Sequence, residues 1–150
     1  METIRATSAD LPLILPLFDG YRQFYEQPSD IEASRIYLTE RLDKNESVMF
    51  FVYENKNNEK NGIGFAQLYA TYSSVTLKKF WVLHDLYVKD DYRKQGIAKT
   101  LINKCKELAH ENAPLGIIIE SRISNQSAQH LFDAVGFVKE GEHYFYYLEN

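Results

Sequence analysis

At 150 residues, with hydrophobic residues at 45% and charged residues at 25%, the chain has the size and make-up of one globular domain. Its net charge of −4 excludes general nucleic-acid binding, because no basic face offsets the excess of carboxylates. A single cysteine forms no intramolecular disulfide. With no basic-then-apolar leader and no apolar run of about 18 residues, the expectation is a cytoplasmic protein without a membrane partner.

In chain order, "ETIRAT" (2–7) alternates as a short strand. Ser8 and Asp10 suit the cap of a helix through "LPLILPLFDGYRQFYE", which Pro16 should kink or split. Ser29 and Glu32 have capping-box spacing for a second helix ending near Asp43. "SVMFFVYE" (47–54) and "IGFAQLYATY" (63–72) read as strands joined by the polar loop 55–62. "FWVLHDLYV" (80–88) is apolar on both faces and reads as a central strand.

Ile97, Ala98, Leu101, Ile102, Cys105, Leu108 and Ala109 then recur at helical spacing. "LGIIIES" (115–121) reads as a buried strand, and Ala128, Leu131, Phe132 and Val135 form the stripe of a short helix closed by Gly136. "FVKEGE" and "HYFYYLE" complete the chain as two more strands. The expected class is α/β: one domain over 1–150, with a mixed sheet of about six to seven strands and helices on both faces.

The stretch "LYVKDDYRKQGIAKTL" (86–101) places Arg93, Lys94 and Gly96 between a strand and a helix. A helix N-terminus exposes backbone N–H groups and positive dipole, and glycine lets a ligand approach closely. Such a turn suits an anion such as a pyrophosphate. The chain carries neither a Walker pattern nor G-x-G-x-x-G, which removes support for nucleoside triphosphates and dinucleotides.

Arg93-x-x-Gly96-x-Ala98 after "DLYV" resembles the acetyl-CoA pyrophosphate loop of the GNAT acetyltransferase superfamily. Asn125-x-x-Ala128-x-x-Leu131-Phe132, followed by Gly136-Phe137, resembles that superfamily's second signature. The resemblance implies a GNAT domain that binds acetyl-CoA as donor and uses no metal. It further implies that backbone groups of Leu86, Tyr87 and Val88 meet the pantetheine arm. The amides of Arg93, Lys94, Gln95, Gly96, Ile97 and Ala98 would cradle the pyrophosphate, and Asn125 would contact the cofactor arm.

Amine acetylation needs a neutral amine, yet a lysine-like amine of pKa about 10.4 is neutral in fewer than about 1 in 1,000 molecules at pH 7. His84 and Asp85 precede the cofactor-contacting residues on one strand. By resemblance to polyamine acetyltransferases, His84 stands where a glutamate base is found and Asp85 matches the aspartate after it. Both are the expected catalytic residues. Phe132 departs from the pattern, since many relatives carry a tyrosine there to protonate the departing thiolate. Tyr87, Tyr144 and Tyr146 are other hydroxyls for that task, and Cys105 reads as core packing.

Tyr21, Tyr25 and Glu26 lie in "YRQFYEQPSD", within the region that walls the acceptor site in the superfamily. Aromatic faces and a carboxylate suit an ammonium group. "YRQFYE" with "HDLYV" is most similar to the histone and polyamine acetyltransferase branch. A small polyamine or lysine-like amine is the expected acceptor. Protein lysines or N-termini form an alternative, as does a non-catalytic acyl-CoA-binding sensor. Family habit implies a homodimer, with "HYFYYLE" as a source of interface.

Overall fold

In the computed structural model, which describes all 150 residues, five strands form one sheet in the order β1-β2-β3-β4-β5. They are β1 (Glu2–Arg5), β2 (Ser47–Lys56), β3 (Glu59–Ser73), β4 (Lys78–Val88) and β5 (Ile117–Ile119). The first four pair antiparallel, and β5 joins β4 in parallel. Four helices accompany them: α1 (Leu11–Phe24), α2 (Ile31–Asp43), α3 (Ile97–Asn112) and α4 (Gln126–Ala134). The chain divides into two compact units, Met1–Glu120 and Ser121–Asn150.

The first unit holds the whole sheet. Ser47 to Tyr53 is buried at every position, as a strand covered on both faces requires. Met49, Phe51, Tyr53 and Phe65 share a core with Ile14, Leu17 and Phe18 of α1 and Leu38 of α2. On α3, Ile97, Leu101, Ile102, Cys105, Leu108 and Ala109 are buried, and the helix packs on β2, β3 and β4.

Several local expectations are corrected. Pro16 does not split α1, which runs unbroken from Leu11 to Phe24. One lost backbone bond is outweighed locally by burial of Ile14, Leu15, Leu17 and Phe18 around it. Asp30, not Ser29, caps α2 by accepting from the Ala33 amide at 2.9 Å. The hydroxyl of Ser29 is instead donated to Asp19 at 2.7 Å. The polar loop 55–62 shrinks to Asn57 and Asn58, whose φ angles of 53° and 64° match the left-handed turn that hairpins favour.

The sheet has five strands and not six to seven. The strand expected over 115–121 is confined to Ile117–Ile119, where it is only half-buried. Gly116, at φ 82°, interrupts its N-terminal side. In the second unit neither "FVKEGE" nor "HYFYYLE" forms a strand, and Tyr144 to Leu148 are exposed. Apolar composition alone does not make a strand, and a lone two-stranded hairpin is marginal in water. Within this unit α4 is capped by Asn125, whose side chain accepts from the Ala128 amide at 3.2 Å. Phe132 meets the Phe137 ring edge-on at 5.8 Å.

Candidate active site

The ladder between β3 and β4 pairs Gln67 with Asp85 and then Leu68 with Leu83, leaving His84 as the extra residue of a bulge. A bulge bends its strand and re-aims the side chains beside it. His84 is exposed and meets the Tyr69 ring edge-on at 5.1 Å. Together with Phe18, Tyr37 and Tyr69, His84 and Asp85 line a cavity of about 320 Å³. This volume suits a small ligand or one side chain.

A polar network sets the floor of that cavity. Gln67, with no exposed surface, donates through Nε2 to the Tyr69 hydroxyl at 2.6 Å and to Asp85 Oδ2 at 3.0 Å. The hydroxyls of Tyr37 and Tyr69 lie 2.6 Å apart. The Tyr21 hydroxyl also hydrogen-bonds Asp85. Burial raises the Asp85 pKa above 3.8, and the bonds from Tyr21 and Gln67 and the proximity of His84 only partly oppose it. Burial, followed by the Asp85 charge and hydrogen bond, pushes the Tyr21 phenol upward. Burial and the Tyr37 hydrogen bond do the same for Tyr69.

Beyond the cavity β4 continues through Leu86, Tyr87 and Val88, paired with Ala66, Phe65 and Gly64 of β3. On its other side β5 pairs only with Trp81, Val82 and Leu83, so the parallel ladder ends before this segment. A Cβ at Gly64 would stand 2.6 Å from the Tyr87 carbonyl oxygen, a contact that only glycine avoids. The Tyr87 ring packs against Phe65 and Tyr21, and its hydroxyl faces Gly20 of α1.

A 3-10 turn at Asp90–Tyr92 follows, then the glycine loop and α3. Lys94 and Gly96 take left-handed φ angles of 60° and 82°. A Cβ built on Gly96 meets nothing within 4 Å, so open space lies before the loop where an anion is expected. Arg93 turns back: Nε donates to the Val88 carbonyl at 3.0 Å and the guanidinium pairs with Asp90 at 2.6 Å. Its side chain therefore holds the turn. Ile97 is buried and Ala98 half-buried in the first turn of α3, while Lys94 and Gln95 are exposed.

The structure brings His84, Asp85 and Tyr21 together through the cavity network. Tyr25 and Glu26 lie farther along, past the end of α1. Tyr25 packs edge-on against Tyr21 at 5.1 Å, and exposed Glu26 takes a φ of 63°. Asn125 belongs to the second unit, with Tyr144 and Tyr146. Cys105 is fully buried and burial pushes its thiol up to about 12, which leaves no thiolate at neutral pH. Sequence reasoning missed Gln67, Tyr69, Tyr37 and Phe18. The one available signal was a glutamine inside the apolar run "GFAQLY".

The acetyltransferase (GNAT) family model matches residues 14–137. An uncharacterized N-acetyltransferase of Bacillus subtilis strain 168, YhfO, is 34% identical over 140 residues, covering 93% of this chain and 91% of that protein. A probable acetyltransferase of Haemophilus influenzae is 36% identical over 110 residues, 73% of each chain. The crystal structure of a probable acetyltransferase superposes with a TM-score of 0.91 at 35% identity, covering 100% of this chain and 98% of the other. The chain thus belongs to the acetyltransferase (GNAT) family and is an acyltransferase of the N-acetyltransferase type.

Proposed function

We propose that the protein transfers an acetyl group directly from acetyl-CoA to a primary amine, either a small polyamine or a lysine-like amine. The observation that carries this reading is the cavity at the bulge of β4, where His84 and Asp85 meet three aromatic rings. A carboxylate among aromatic faces attracts an ammonium ion by charge and by cation–π contact.

The residues of the loop fit the donor. Gly96 leaves open space before it, and the first-turn amides of α3 have no partners within the helix. Leu86, Tyr87 and Val88 would receive the pantetheine arm. The amides from Arg93 to Ala98 would hold the pyrophosphate. Acetyl-CoA supplies the acetyl group as an activated thioester.

The chain's own residues handle the proton. Asp85 draws the ammonium form into the cavity, held in place by Gln67 and Tyr21. His84, exposed at the bulge, accepts the proton on an imidazole nitrogen as the amine becomes neutral. A base of this kind is worth roughly 10²–10⁴ in rate. A thiolate of pKa about 8.5 leaves readily, so a phenylalanine at position 132 is compatible with turnover.

The test is release of CoA thiol from acetyl-CoA with spermidine, spermine, free lysine and a lysine-rich peptide as acceptors. Release that depends on one of the amines supports the reading and names the class. Release no faster than without acceptor, across the panel and over about pH 6–9, would reject it and favour a non-catalytic acyl-CoA binder.

A further inference from the structure

The loop expected to hold the cofactor is unusual in its backbone. Lys94 is a non-glycine residue at φ 60°, two residues before Gly96 at φ 82°. Left-handed backbone at a residue with a Cβ costs free energy and persists where the surroundings over-determine it. The surroundings here come from the turn end of the β2–β3 hairpin, away from Gln67 and Tyr69, which β3 contributes to the acceptor cavity.

Glu54 and Asn61 face each other across that hairpin. The Tyr92 hydroxyl, one residue before Arg93, donates to Glu54 Oε1 in a short hydrogen bond. Asn61 Nδ2 donates to the same Glu54 oxygen and to the Tyr92 hydroxyl, each at 3.3 Å. Lys89 Nζ donates to Asn61 Oδ1 at 3.0 Å, and the Lys89 amide to the Ile63 carbonyl at 3.0 Å. The hairpin therefore grips both ends of the turn 89–92. From there the chain passes straight into Arg93, Lys94 and Gly96.

We propose that Glu54, Asn61 and Tyr92 form a clasp that preorganises the pyrophosphate loop, making them positioning residues for acetyl-CoA binding. The inference rests on the cofactor reading of residues 93–98. Loop amides already held in the bound geometry bind an anion without a further ordering cost. The Tyr92 hydrogen bond, ahead of the opposing effect of burial, holds the Glu54 carboxyl below its ordinary range. The clasp is thus charge-assisted at neutral pH, which strengthens it.

The experiment measures CoA binding by titration calorimetry and amide hydrogen exchange without CoA, in Tyr92→Phe, Glu54→Gln and the double variant. Each single variant is expected to raise the Kd for CoA about tenfold, with no further rise in the double variant. The bonded amides of Lys89, Tyr92, Arg93 and Thr100 exchange several-fold faster in both, while those of residues 101–109 are unchanged. At saturating acetyl-CoA, kcat stays within about twofold of the wild type, so that the loss appears in KM. Glu54→Gln alone carries the test if Tyr92→Phe does not fold. Unchanged Kd and exchange would overturn the clasp, as would effects that add in the double variant. A wild-type protein that binds no CoA would overturn the cofactor reading itself, a different result.

Discussion

Asp19 and Asp85 are two carboxylates close to α1, and their surroundings treat them in opposite ways. Asp19 accepts from Gln23 at 2.8 Å, from Ser29 at 2.7 Å and from the Asp30 amide at 2.9 Å. Burial alone would raise its pKa, but these bonds and the Arg22 charge outweigh burial and lower it. Asp85 has donors in Tyr21 and Gln67, and there burial prevails and the pKa rises. A saturated carboxylate ties two helices together. An under-satisfied one, facing a cavity, retains unspent capacity to bind a cation.

The largest effect expected from this contrast is on catalysis. Asp85→Asn should lower kcat/KM by roughly 10²–10⁴ in acetyl transfer to the best acceptor, while the protein stays folded. Its folded pKa lies above the unfolded value, so ionised Asp85 opposes folding. The stability associated with its protonated form is complete below about pH 4 and is lost as pH rises through the raised pKa. At pH 7 Asp85→Asn should therefore raise Tm, which thermal unfolding monitored by circular dichroism will read. A lower Tm would place Asp85 with Asp19 as a structural residue.

Asp19→Ala should show the reverse, costing about 2 kcal/mol of stability by stranding Ser29, Gln23 and the Asp30 amide. Urea unfolding measures the loss, and kcat of the folded enzyme should change little. The Asp19 pKa is lowered, so its contribution is present above the unfolded value and disappears as pH falls through the folded one. The gap between wild type and Asp19→Ala should accordingly close in acid.

A smaller effect belongs to Gln67. Gln67→Leu removes one donor from Asp85 and should move the titration of the Asp85 carboxyl, followed by carbon-13 NMR, upward by roughly half a unit to one unit.

Much of this organisation was legible in local patterns. Periodicity located α3 from Ile97 onward, and "FWVLHDLYV" matched most of β4. The glycine turn was legible because Gly96 stands alone between a strand and a helix. The bulge at His84 was not, since it depends on the register between Leu83–Asp85 and Gln67–Leu68, which one strand's sequence does not encode. The donors around Asp85 come from α1 and β3, and the partners of Asp19 from both sides of the α1–α2 turn. Such convergence is a property of tertiary structure. The aromatic ending misled for a related reason, because "HYFYYLE" has strand composition but no paired strand.

The most direct test of the Asp85 cavity as the amine site is a carbon-13 NMR titration of the aspartate carboxyl groups. It would be run with and without the amine that gives the fastest CoA release. The account predicts that Asp85 titrates above 3.8 in the free protein, with Asp19 below that value. Bound ammonium should then lower the Asp85 value and leave Asp19 unmoved. An Asp85 resonance indifferent to an amine that the enzyme acetylates would contradict the placement of the acceptor in this cavity.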